Sequence, residues 1–290
     1  MFRSFVITAL LFCSPVNFSQ EKIAMKKLAD LDEKLHETSG LAVVDDYIIT
    51  QNDSGNKSEI YAINKKGEIE RTIELEDAPN KDWEDLALDN QGRLYIGDVG
   101  NNYNSREWLK IYVLPKGFVD EKKIVPQEIK FRYEDQKDFP PDEDQLYFDC
   151  EGFMCAGDKI YIFTKCRTKP FTGISRVYEL SQNPGIQIAK RIGEINLCKT
   201  GWQFCSVTAA DYHEASKTLV LLTYSRMYLV KDFLPSNPEK WKGNLKSYQL
   251  PVIRQREAIC FKSANEWYMT DENHRALGGG NLYRVYFDTE

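Results

Sequence analysis

Three glutamates stand out as residues that could do chemistry. Glu84, Glu151 and Glu257 each sit at the opening of a short apolar run, in DWEDLALD, DCEGFMCAG and REAICFK. Two more runs of the same shape, ETSGLAVV and SVTAADYH, put Ser39 and Thr208 at the equivalent point. If these runs converge, three carboxylates meet at close range and repel by on the order of several kcal/mol at an effective dielectric of about 20. Protonation, pairing with lysine or arginine, or a bound hard cation relieves such repulsion. Ca²⁺ is the expected cation, because it accepts about six to eight oxygen ligands in a loose shell, whereas Mg²⁺ demands a tight octahedron. The expected metal set is Ser39, Glu84, Glu151, Thr208 and Glu257. The alternative is that the same side chains bond backbone amides and arginines that close the fold.

A second group of polar residues follows the next strand-like run of each segment. It includes Asn52 and Asp53 in QNDSG, Asp98 and Asn102 in GDVGNN, Lys165 in FTKC, Tyr224 in LTYS and Glu272 in TDEN. Asp53, Asp98 or Glu272 would act as general base toward a water. Arg106, Lys165 and Arg275 would neutralise an anionic substrate, His274 would donate a proton, and Asn52, Asn102 and Tyr224 complete the ligand-facing set. Each has a plainer reading: Asp53 and Asp98 as turn stabilisers, His274 as a solvated side chain, and the run TKCRTK as a solvated loop. Covalent catalysis has no support, since no GxSxG or Walker A pattern occurs.

The elements that must position these residues repeat along the chain. Each segment has a short apolar strand, a second strand ending in polar residues, a third with a central tyrosine, and a fourth. In the third segment these are DCEGFMCAG, KIYIFTK, SRVYEL and IAKRIGEI. Alternation of Ile, Val, Tyr and Phe with polar residues predicts strands, and sustained helical periodicity is missing. Repeated four-stranded units predict an all-β, five-bladed β-propeller. The anchors Ser39, Glu84, Glu151, Thr208 and Glu257 are spaced 45, 67, 57 and 49 residues apart. A sixth blade within the long interval is the alternative, but EDQKDFPPDEDQLY reads as a loop. The last segment lacks a fourth strand, so IAMKKLADL near the N-terminus is expected to supply it and close the ring. In such a ring the two polar groups share one face, around the axis.

Residues 1–20 carry one arginine and an apolar run from Phe5 to Phe12, the pattern of a secretory signal peptide. Residues 21–290 then form a single domain, exported to the periplasm or outside the cell; lipoprotein anchoring through Cys13 is the weaker reading. No later run approaches the roughly 18 apolar residues of a spanning helix. The net charge of −6, from 38 basic and 44 acidic residues, gives no footprint for nucleic acid, and a monomer is expected. Removing the leader leaves six cysteines. Cys198 and Cys205 flank a short loop and are the expected disulfide, while Cys150, Cys155, Cys166 and Cys260 read equally well as small buried hydrophobes. With only three histidines and no CxxC pair, a zinc site is not expected.

In order, ETSGLA, NDSG, DWEDLALD with LYIGDVGNN, CEGF, SVTAAD, LLTY and REAI resemble a family of exported bacterial β-propellers related to the SdiA-regulated and phytase-like esterase propellers. The resemblance covers roughly residues 37–285 and implies the fold more than an activity. A looser similarity is to the calcium-activated nucleotidases (apyrases), whose Ser, Glu, Glu, Ser, Glu pattern around a central calcium lines up with Ser39, Glu84, Glu151, Thr208 and Glu257. Their nucleotide-handling basic residues have no counterparts here. Two functions follow as expectations: a calcium-dependent hydrolase of phosphate or other esters, phosphoesters ahead of carboxyl esters, acting at the channel face on a small anionic or ester ligand, or a non-catalytic ligand- or protein-binding propeller with a structural calcium. Trp108, Trp202, Tyr103 and Phe171, on loops, suit ligand stacking.

Overall fold

A computed structural model describes residues 22–288; the leader read over 1–20 lies outside the described residues. Strand β1 (Lys22–Asp30) precedes a unit made of β2 (Thr38–Val44), β3 (Tyr47–Asn52), β4 (Glu59–Ile63) and β5 (Ile69–Leu75). There follow β6 (Trp83–Leu88), β7 (Leu94–Asp98), β8 (Leu109–Leu114), the short β9 (Lys123–Ile124) and β10 (Gln127–Tyr133). The next unit is β11 (Asp149–Ala156), β12 (Lys159–Lys165), β13 (Ile174–Ser181) and β14 (Gly185–Asn196). A one-turn helix α1 (Trp202–Cys205) leads to β15 (Ala209–His213), β16 (Thr218–Leu222), β17 (Arg226–Val230), helix α2 (Pro238–Asn244) and β18 (Leu245–Gln249). The chain ends in β19 (Arg256–Ser263), β20 (Glu266–Asp271) and β21 (Asn281–Asp288).

The strands pair within each unit as antiparallel meanders, in sheets of four, five and eight strands. The eight-stranded sheet consists of two four-stranded halves joined at their outer edges by the parallel pair β10–β14. Strand β1 pairs antiparallel with β21, from Lys22 opposite Asp288 to Asp30 opposite Asn281, so the N-terminal segment completes the last sheet and covers its edge. The first strands of the units, β2, β6, β11, β15 and β19, each lie beside the next, and β19 returns to β2. Apolar clusters fill the space between successive units. Trp83, for example, packs with Ile49, Ile60 and Ile73 of the preceding sheet, and Trp241 of α2 packs with Phe233 and Ile195. The arrangement is propeller-like, with the first strands innermost.

Two features of the inner strands aim side chains at the axis. The first is a bulge near the strand start. The ladder skips Gly40 in β2, Glu84 and Asp85 in β6, Glu151 in β11 and Glu257 in β19. A bulged residue has no opposite partner, so its side chain is re-aimed. The second is a pair of buried aspartates that tie inner strands together. The Asp85 carboxylate accepts from Leu86 N at 2.8 Å, Phe153 N of β11 at 3.1 Å and Ala210 N of β15 at 3.1 Å. Asp211 accepts from Phe261 N of β19 at 2.7 Å and from Tyr212 N at 2.8 Å. Gly40 fits the same crowded centre, because a Cβ there would lie 2.6 Å from Leu86 N and its φ is +71°.

Cys198 and Cys205 form a disulfide, and Cys150, Cys155, Cys166 and Cys260 are free and buried. Replacing Asp85 with alanine strands buried N–H donors on two neighbouring inner strands. We expect Asp85→Ala to lower stability by about 3 kcal/mol or more in urea titration; an unchanged midpoint would show that Asp85 does not tie the strands together.

Candidate metal centre

Glu84, Glu151 and Glu257 are all buried at the bulges, and each meets a different environment. Glu151 lies 2.6 Å from Lys165 Nζ and 3.2 Å from Arg167 Nη2. Arg167 also donates to Asp149 at 2.7 Å and to the Asn102 side-chain oxygen. Burial opposes the Lys165 charge, yet Glu151 and Glu257 outweigh it and hold its pKa above the ordinary lysine value. The Lys165 ammonium sits 5.6 Å from the centre of the Tyr224 ring, and the Tyr224 hydroxyl donates to Glu257 at 2.7 Å. Glu151 and Glu257 are thus met by protein groups. Among the described residues no hydrogen-bond donor or cation pairs with the Glu84 carboxylate. Burial, followed by Glu151, Asp53 and Asp82, pushes its pKa well above the usual range.

Glu84 instead faces two more acids. One carboxylate oxygen from each of Asp53, Asp82 and Glu84 lies within 4.8 Å of the others. Asp53 comes from the loop after β3, where its carboxylate accepts from Ser54 N and its own N–H donates to Glu37 O at 2.9 Å. Asp82 precedes β6, and its N–H donates to Asp98 at 3.0 Å. Asn80 clamps the two loops by donating to Asn52 O at 3.0 Å and Asp53 O at 2.9 Å. The third wall is the backbone of Gly100, where a Cβ would lie 2.3 Å from Glu84 Oε1 and 2.4 Å from Asp82 Oδ2. A side chain at position 100 would have to push the two carboxylates aside. Burial is also the largest cause of the raised pKa values of Asp53, about 7, and Asp82, about 6.

The other sequence candidates are distributed as follows. The Ser39 hydroxyl donates to Glu84 O, and that of Thr208 donates to Arg256 O at 2.7 Å, so both tie neighbouring inner strands together. Asp98 is buried, with Arg106 3.1 Å away, and Arg106 also donates to Gly100 O at 2.6 Å. Asn52 donates to Lys34 O at 2.6 Å and accepts from Glu37 N at 3.3 Å. Burial, then Glu257 and Asp53, pushes Glu272 up to about 10, which favours the protonated acid over the base. His274 and Arg275 are exposed, and His274 Nδ1 accepts from Ala276 N and Leu277 N at 3.2 Å within its own turn. Asp82 stands two residues before Glu84 in DWEDLALD and is not among the ligands expected from the sequence, and the plainer reading of the run containing Arg167 is a solvated loop. Arg167 is in fact the partner of two buried acids.

Comparison with known proteins gives no closer assignment. No family model and no curated protein matches the chain. Among solved structures, it resembles a virginiamycin B lyase from Staphylococcus aureus at 11% identity and TM-score 0.41, covering 87% of this chain and only 66% of the lyase. A gluconolactonase from Xanthomonas campestris shows 10% identity and TM-score 0.45, with 87% and 72% of the two chains covered. A PQQ-bound aldose sugar dehydrogenase from Streptomyces coelicolor shows 10% identity and TM-score 0.47, with 92% and 99% covered. Likeness this distant says nothing about activity, and the chemistry here rests on the residues themselves.

The acid cluster sets a pH signature. Raised carboxyl pKa values mean that the folded state binds protons more tightly than the unfolded chain. Without metal, the contribution of Asp53 and Asp82 is present in full below about pH 4 and is lost as pH rises through about 6 and 7. We expect the melting temperature in chelator to fall between pH 5 and 8, and excess calcium to reduce that fall. A melting temperature that rises over this range in chelator would contradict the assignment.

Proposed function

We propose that this chain is an exported five-bladed β-propeller that binds calcium through Asp53, Asp82 and Glu84 and hydrolyses esters at that face. The observation that carries the reading is the buried Glu84 carboxylate, which has two more acids beside it and, among the described residues, no cation or donor paired with it. An all-carboxylate donor set suits a hard cation. The blade count follows from treating each half of the eight-stranded sheet as one blade. The disulfide fits an oxidising compartment, in keeping with a leader over 1–20 and a single monomeric domain over 21–290.

A bound calcium would supply Lewis-acid polarisation of an ester oxygen and a more acidic water. The chain's own groups then divide the remaining work. Glu272 holds a proton and is suited to protonate the leaving oxygen rather than to act as base. Asp98 is occupied by Arg106 and the Asp82 N–H, and it positions the loop that carries Asp82. Lys165, Arg167 and Arg106 are already paired with internal acids, which leaves little free positive charge for a phosphate monoester. The favoured substrate is therefore an uncharged ester. The same consumption of cations supports a second reading, a binding propeller with a structural calcium.

Chromogenic carboxyl and phosphate esters, assayed with calcium or chelator, separate these readings. Turnover of a neutral ester that falls at least tenfold in chelator and in Glu84→Gln supports the hydrolase. Silence across the panel, with calcium still raising the melting temperature of the wild type but not of Glu84→Gln, supports the binding module. Saturation at about a hundred times Kd should stabilise the fold by about 2.7 kcal/mol. No calcium effect on melting would overturn both.

A further inference from the structure

Arg167, the partner of Glu151, also lines a groove of about 610 Å³. That falls within the range of roughly 300–1,000 Å³ common for small-molecule sites. Its walls are flat and apolar: Tyr103, Trp202, Phe171, Leu146, Pro140 and Pro170. Tyr103 is 82% exposed and Trp202 47% exposed, so both rings stand largely open. Trp202 opens helix α1 inside the loop closed by the Cys198–Cys205 disulfide, which limits how far its ring can wander. The Arg167 guanidinium lies 5.8 Å from the Trp202 ring centre, and its other side meets Asp149 and Glu151.

The polar groups of the groove limit what it can hold. Lys169 pairs with Glu143 at 2.7 Å. The Thr168 hydroxyl donates to Pro170 O at 2.9 Å. Arg167 is committed to Asp149, Glu151 and the Asn102 oxygen. Both cations carry acidic partners, which disfavours an anion, and the exposed Tyr103 hydroxyl and Asn102 amide are the neutral polar groups at the edge of the groove. What remains is a set of ring faces and proline edges, which favour offset or edge-to-face packing with another ring.

We propose that this groove is a binding site for an uncharged, flat aromatic group. Its role as a subsite for the aryl portion of an ester rests on the hydrolase reading, but the binding itself does not. Arg167 lines the groove and pairs with Glu151 on its other side, so an aryl group seated on Trp202 would lie next to the side chain that meets Glu151.

Calorimetric titration of the full chain with 2-naphthol, neutral at pH 7, tests the site, with methyl glucoside and 2-naphthalenesulfonate as controls. We expect saturable one-to-one binding of naphthol, weakened at least tenfold by Trp202→Ala and by Tyr103→Ala, and weaker binding of both controls. Tyr103 is so exposed that its removal leaves the core intact, and unchanged melting of the variant checks this. No saturable binding, equal affinity in both variants, or tighter binding of the sugar or the sulfonate would overturn the proposal. Glu84→Gln and chelator should leave naphthol binding unchanged. Loss of naphthol binding with calcium binding intact therefore sinks the groove alone, and the reverse pattern sinks the metal centre alone.

Discussion

A carboxylate withdrawn from water must be met by a proton, a cation or a set of donors. Three inner strands bury one at a bulge, and the molecule meets them unequally. Glu151 has Lys165 and Arg167. Glu257 has the Tyr224 hydroxyl. Among the described residues Glu84 has no paired donor or cation, and it faces Asp53 and Asp82. This imbalance moves the excess negative charge off the axis, to the seam between the loop after β3 and the start of β6. A ring of three equivalent glutamates would have put a cation on the axis.

The scaffold that holds this imbalance is built from backbone bonds at the same level. The Ser39 and Thr208 hydroxyls join inner strands through main-chain carbonyls. Below them, Asp85 and Asp211 collect N–H groups from neighbouring inner strands. Ser39 and Thr208, expected from the sequence as ligands, also act as fasteners between inner strands. Gly100 completes the seam, because a side chain there would displace the Glu84 and Asp82 carboxylates from their present positions.

Much of the fold was legible in the sequence because strand alternation, turn residues and repeat spacing are local signals. The closing strand could be read from the missing fourth strand of the last segment, and the disulfide from the short loop between Cys198 and Cys205. Helix α2 escaped because a single short helix leaves almost no periodicity. The site was only half legible. That Glu84, Glu151 and Glu257 occupy matching positions is a repeat property, but which of them finds a cation depends on the loops that fold over it. Arg167 lies in a run of charged residues that looks solvated until the structure brings it against Asp149. Asp85 and Asp211 did leave a trace, since each is an acid next to an apolar residue of an inner strand, Leu86 and Ala210, where a buried charge needs a specific partner.

The most direct test of the account is anomalous diffraction from crystals soaked in a lanthanide that substitutes for calcium. The account predicts a single strong peak coordinated by Asp53, Asp82 and Glu84 and absent from Glu84→Gln crystals. A peak on the axis between Glu151 and Glu257, or no peak while Glu84 turns to a protein cation, would contradict it.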